Sequence, residues 1–161
     1  MTTAEYNECV KEYSDGIFRF IVKNIRDEFE AENIVQNTFE KLWVRVDKIE
    51  MATAKSYLFK VAYNNMIDVI RKNKKHTDLE SAGQIAGQTH EYNNLIEYVH
   101  KAVNKLPKKQ KAAITLRDFE GHDYRSIGDI TGMTESQVKV NIFRARKFIK
   151  EYINKLELMM I

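Results

Sequence analysis

The stretch DYRSIGDITGMTESQVKVNIFRARKFIKEYI, Asp123 to Ile153, reads as two helices joined by a tight turn. Asp123 is placed to cap a short helix running through Ile127 and Ile130. Gly132 supplies a turn position open to positive φ, and Thr134 is placed to cap the next helix. This is the helix-turn-helix pattern, whose second helix enters the DNA major groove. DNA is therefore the first candidate partner. At about 100° per residue, Val138, Ile142, Ala145 and Ile149 share a narrow stripe that Tyr152 and Leu156 extend, and that stripe must be core. The opposite side shows Ser136, Gln137, Val140, Phe143, Arg144 and Lys147, with Lys139 and Arg146 on the flanks. The cations reach phosphates or guanine edges; Val140 and Phe143 meet thymine methyls or sugars. The alternative is an amphipathic helix with basic decoration, but two apolar side chains on a cationic outer face are odd for a merely solvated one.

Working outward, the 161 residues suffice for one compact domain or two small ones. One proline and six glycines suit a mostly helical chain. No apolar run reaches the roughly 18 residues of a membrane span, and the N-terminus lacks a signal-peptide pattern. The single Cys9 allows no internal disulfide, fits a reducing cytoplasm, and reads as a small buried hydrophobe. Charge is unevenly spread. Residues 1–75 hold 13 Lys/Arg against 12 Asp/Glu, residues 76–100 hold none against 4, and residues 101–161 hold 13 against 7. The chain is basic at its end, acidic in the middle, and balanced but heavily charged at its start, which suggests a protein partner there as well.

Helical spacing predicts a first helix from about Ala4 to Ile25, although Gly16 interrupts it. A second covers Ala31 to Val46, with Val35, Phe39, Leu42 and Val46 as its core stripe and Asn33, Gln36, Asn37, Glu40 and Lys41 on the other side. A third runs from Thr53 to about Lys72, with Leu58, Ala62, Met66 and Val69 inward, Asn65 near the core side, and Tyr57, Lys60, Asn64 and Arg71 outward. An aromatic, an amide and two cations offer stacking, edge hydrogen bonds and charge to unpaired bases and phosphates. Arg71, Lys72, Lys74 and Lys75 form a basic cluster suited to phosphates, or a solvated charge run. The helical period is lost over 73–93, which reads as a flexible linker. It resumes at Leu95, stops before Pro107, and continues as a helix from Lys108 to Phe119, with Pro107 at its first position and Gly121 ending it. The apolar tail Leu156 to Ile161 is expected to carry the last helix into a core. The fold class is all-α: two small helical domains, 1–75 and 94–161, joined by an acidic linker over 76–93, the second being a helix-turn-helix.

Three segments, in this order, resemble bacterial RNA polymerase sigma factors of the extracytoplasmic-function (ECF) group. AENIVQNTFEKLW (Ala31 to Trp43) resembles the family's core-polymerase-binding helix, and SYLFKVAYNNMIDVIRKNKK (Ser56 to Lys75) its minus-ten-reading helix. LPKKQKAAITLRDFEGHDYRSIGDITGMTESQVKVNIFRAR (Leu106 to Arg146) resembles the domain that reads the minus-thirty-five element. The sequence departs from the family pattern at Asn33 and Asn37, where acids are usual, and at Tyr57, Ser126, Ser136 and Val140.

The resemblance implies that Asn33, Gln36, Asn37, Glu40 and Lys41 dock on polymerase with Trp43 as anchor. It implies that Tyr57, Lys60, Asn64 and the Arg71–Lys75 cations hold melted promoter DNA, with Lys48–Lys55 as a base-pocket loop. It further implies core RNA polymerase, promoter DNA and an anti-sigma factor as partners, no membrane insertion, a cytoplasmic location, no cofactor and no catalysis by the chain itself. Consistent with that, there is no glycine-rich phosphate loop and no paired cysteines, and the scattered His76, His90, His100 and His122 make no metal-ligand spacing. A stand-alone helix-turn-helix regulator is the main alternative, and a sigma mimic that sequesters an anti-sigma protein is another.

Overall fold

The computed structural model describes residues 1–74 and 94–159, and the linker reading over 76–93 lies outside them. The described residues form seven α-helices and one π-helical turn, with no strand among them. Thr2 and Glu5 start α1 (Thr3–Ile25) with reciprocal side-chain to backbone bonds of 3.1 and 2.9 Å. Asp27 caps α2 (Glu28–Val44) by accepting from the Glu30 amide, which starts that helix three residues earlier than its hydrophobic pattern suggests. Helix α3 (Met51–Lys74) begins early as well, so only 48–50 of the expected base-pocket loop is irregular. These three helices close around Ile17, Phe20, Ile21, Leu42, Leu58, Phe59 and Met66, with Cys9 fully buried among them.

The core stripe of α2 differs from the sequence reading. Ala31, Ile34, Thr38, Phe39 and Leu42 are buried, whereas Val35 and Val46 are only half-buried. Thr38 can turn inward because its hydroxyl donates to the Ile34 carbonyl at 2.7 Å, so no polar group is left unsatisfied.

The second unit comprises α4 (Asn94–Asn104), α5 (Lys108–Ile114), a π turn (Thr115–Phe119), α6 (Tyr124–Thr131) and α7 (Glu135–Met159). Pro107 is the N-cap of α5 rather than its first residue. The expected single helix Lys108–Phe119 widens at Thr115, whose hydroxyl bonds back to the Lys111 carbonyl at 2.7 Å and accepts from Asn24 of α1 at 3.0 Å. Helix α7 is longer than the helices that flank it. Leu156 is half-buried, but Leu158 and Met159 stand exposed, so the described part of the tail meets the core only at Leu156; Met160 and Ile161 lie outside the described residues.

The turn between α6 and α7 forms as its residues dictate. The Asp123 carboxylate accepts from the Ser126 amide at 2.7 Å, and Gly132 takes φ 79°. Thr134 and Gln137 exchange side-chain to backbone bonds of 3.1 and 2.9 Å. Gly128 has a reason the sequence did not disclose: a Cβ there would lie 2.9 Å from the Met133 carbonyl oxygen. Gly128→Ala should therefore cost about 1–3 kcal/mol through overpacking against backbone, read as a lower melting temperature.

The two units touch. Helix α6 packs on α3, and the π turn and α5 pack on α1. Gly16 lies in an unbroken, buried stretch of α1, where a Cβ would sit 3.0 Å from a Glu120 carboxylate oxygen. The glycine that interrupts the helical pattern is where Glu120 of the second unit packs against α1.

Candidate nucleic-acid interface

Helix α7 is held by Val138, Ile142 and Ala145, all buried, and by the half-buried Ile149. That packing turns Ser136, Gln137, Lys139, Val140, Phe143, Arg144 and Lys147 to solvent. Phe143 is 68% exposed and Val140 44% exposed, an apolar pair set among cations. Several of these side chains already have local work. Gln137 closes the helix cap, and Lys139 lies 3.8 Å from Glu135 and over the Tyr124 ring. Arg146 differs most from the sequence reading: its guanidinium grips Asp118 of the π turn through two bonds of 2.6 and 3.1 Å. Arg144 and Lys147 form no ion pair among the described residues, which leaves them free to meet an anion.

The first unit presents a second surface. The predicted polymerase-facing residues Asn33, Gln36, Asn37, Glu40, Lys41 and Trp43 are all exposed along α2. Trp43 is half exposed and stands edge-on to the Tyr6 ring at 5.0 Å. Tyr6 is itself fixed by donating to the Phe39 carbonyl at 2.9 Å. Sequence reasoning missed Tyr6 because its contact lies 33 residues away.

Helices α2 and α3 together wall an open groove of about 660 Å³. It brings Asn37, Glu40 and Lys41 from one predicted set together with Tyr57, Lys60 and Asn64 from the other, and adds Val44 and Arg45. Val44, 82% exposed next to Trp43, is the signal that pattern reading passed over. Asn65 is half-buried as expected, and its amide oxygen accepts from Lys41 at 3.2 Å. Arg71, Lys72 and Lys74 stand exposed in the last turn of α3, where cations also favour the helix C-terminus; Lys75 lies outside the described residues.

None of the described residues forms a group of three or more His, Cys, Asp or Glu able to hold a metal ion. Among them, no helix is long and apolar enough to cross a membrane.

Comparison with known proteins covers both units. Residues 9–76 match the model of sigma-70 region 2, and residues 96–149 that of sigma-70 region 4. The chain is 27% identical to the ECF RNA polymerase sigma factor SigM of Bacillus subtilis, across 92% of this chain and 95% of that one. It is 26% identical to the RNA polymerase sigma factor SigV of the same organism, across 93% and 92%. Its fold is similar to that of the sigma factor RpoE of Bartonella quintana, solved with the anti-sigma factor NepR. That match has a TM-score of 0.81 at 24% identity and covers 94% of this chain and 98% of the other. It is also similar to CnrH, solved with the cytosolic domain of CnrY, at a TM-score of 0.71 and 17% identity, covering 93% and 88%.

Proposed function

The chain belongs to the sigma-70 family, in its extracytoplasmic-function group, and from that membership we propose how its surfaces share the work of starting transcription. It is a sigma factor: it binds core RNA polymerase, directs it to promoters, and acts in the cytoplasm with no chemistry of its own. The exposed face of α2, with Trp43 as anchor, docks on polymerase. Tyr57, Lys60 and Asn64 in the α2–α3 groove take up the unpaired strand of the minus-ten element, and Arg71, Lys72, Lys74 and Lys75 hold its phosphates. The outer face of α7 reads the minus-thirty-five element as duplex, Arg144 and Lys147 carrying the charge and Val140 and Phe143 the apolar contacts. In this division Arg146 steadies α7 against the π turn while it flanks the DNA. An anti-sigma protein is the expected antagonist, since the similar sigma factor RpoE was solved with one.

The observation that carries the reading is the pairing of two exposed readers on separate units, one suited to stacked single-strand bases and one to duplex. A stand-alone regulator needs only the second. The test is run-off transcription from genomic fragments with core RNA polymerase, with and without the protein. Discrete new transcripts that require it are expected. Their absence, alongside tight operator binding by the free protein, would replace the sigma reading with the stand-alone regulator.

A further inference from the structure

A pocket of about 270 Å³ lies between the last turn of α1 and helix α4. Val22, Lys23, Arg26, His100, Val103 and Asn104 line it, and none of them belongs to either predicted reader. Two cations, an imidazole and an amide stand beside two valines, with no carboxylate among the lining residues. The acids closest in sequence are engaged elsewhere. Asp27 accepts from the Glu30 amide at the start of α2, and Glu97 lies 3.9 Å from Lys101. Lys23, Arg26, His100 and Lys111 form no ion pair among the described residues.

Arg26 is set at the pocket by its backbone. It is the one non-glycine among the described residues with positive φ, 57°, at the left-handed C-cap of α1. Glycine or asparagine is the ordinary choice at such a cap, so an arginine there is a functional clue. The negative end of α1 favours cations at Lys23 and Arg26. It has no bearing on Lys111 and His100, which come to the same region from α5 and α4. Burial, then Arg26, pushes the Lys111 ammonium below its ordinary pKa; burial, then Lys23, pushes the His100 imidazole down. Each is disfavoured as a cation by a cation of α1, and an anion between them reverses that effect. The pocket also offers a stacking surface. The exposed His100 ring lies 22° from parallel to Phe119 at 6.3 Å, and the Lys23 ammonium is held 4.9 Å over Phe119.

We propose that this pocket binds a nucleoside diphosphate, with its phosphates on Lys23 and Arg26 and its base against the His100 ring. Charge sets the phosphate end. Two cations, with Lys111 close to Arg26, match a small polyanion better than a single carboxylate. Size sets the limit. Pockets for whole drug-sized ligands begin at about 300 Å³, so one nucleotide is the largest occupant and an oligonucleotide does not fit. Val22 and Val103 offer apolar contact to the nucleoside, and the Asn104 amide offers a donor and an acceptor to its polar edge. The site stands whether or not the sigma reading does.

The test titrates the full-length free chain with ADP, pyrophosphate and adenosine in the absence of divalent metal, followed by calorimetry and by NMR of the histidine rings. ADP should bind most tightly, pyrophosphate about tenfold more weakly for want of a stacked base, and adenosine not measurably. Arg26→Gly suits the left-handed backbone, so the fold is kept while ADP binding should weaken about tenfold or more. His100→Ala should erase the preference for ADP over pyrophosphate. Arg144→Ala combined with Lys147→Ala should bind ADP as wild type does. With ADP present the His100 ring should titrate at higher pH, because an anion then faces it. Equal ADP affinity in wild type and Arg26→Gly overturns the site. So does lost binding in the α7 double variant, which would make ADP a general ligand of basic helices. Pyrophosphate as tight as ADP overturns the nucleoside assignment, and no binding of any of the three overturns the pocket as an anion site.

Discussion

Replacing Arg144 and Lys147 together by alanine is expected to lower promoter-dependent transcript on the order of 100-fold, with helicity and melting temperature unchanged. Each cation that meets a phosphate or a guanine edge contributes about 1–3 kcal/mol, and two compound. Folding is spared because both side chains are exposed and form no ion pair among the described residues, while Val138, Ile142 and Ala145 hold α7 from its other face. Binding of minus-thirty-five duplex should also lose salt dependence, by about 0.9 in the log–log slope for each phosphate contact removed. Arg146→Ala gives the contrast. It breaks the Asp118 pair, whose side chains are 50% and 39% exposed, and should cost about 0–1 kcal/mol of stability with a smaller loss of DNA binding. Unaffected transcription in the double variant would rule out the outer face of α7 as the reader.

The parts of this fold legible in the sequence are those whose causes are short-ranged. Asp123, Gly132 and Thr134 act within four residues of themselves, so the course of the α6–α7 turn could be read from them, whereas the capping bond of Gln137 and the tight fit of Gly128 could not. The stripe of α7 was equally plain, because apolar residues at helical spacing have one sensible destination. The boundaries of α2 and α3 slipped because caps and tertiary contact extend helices past their apolar pattern.

What stayed hidden depends on partners far along the chain. The π turn forms around Thr115, which Asn24 reaches across 91 residues. Asp118 meets Arg146 across 28 and Glu120 meets Arg19 across 101. A pattern search sees Gly16 only as a flaw in a helix; the reason for it is in the other unit. The site followed the same rule. Its residues were identified type by type, but their convergence in the α2–α3 groove, with Val44 and Arg45 added, is a product of packing.

His122 gives the second large expectation: the protein should lose about 3 kcal/mol of stability between pH 6.5 and about 4 through this one residue. Its ring is 4% exposed, its Nε2 has no hydrogen-bond partner among the described residues, and it lies against Phe59. Burial pushes the imidazole down from 6.5 to about 4; the Lys55 ammonium on α3 lowers it further, and Asp123 opposes them. Arg117 also faces the segment, donating to the His122 carbonyl at 3.0 Å. The unfolded chain therefore binds more protons than the native one between about pH 4 and 6.5. Stability rises with pH across that window, is complete above 6.5, and falls as acid forces a charge onto a buried ring. Chemical denaturation at a series of pH values measures it, with His122→Leu as reference, since a side chain of similar volume replaces a ring whose Nε2 has no hydrogen bond to lose among the described residues. The difference between the two proteins isolates the histidine from carboxylates such as Asp123, whose pKa is lowered by the Ser126 amide and which weaken in acid for their own reasons. Parallel curves for wild type and His122→Leu would mean that the ring titrates freely, and that the contact between α6 and α3 is open in solution at every pH.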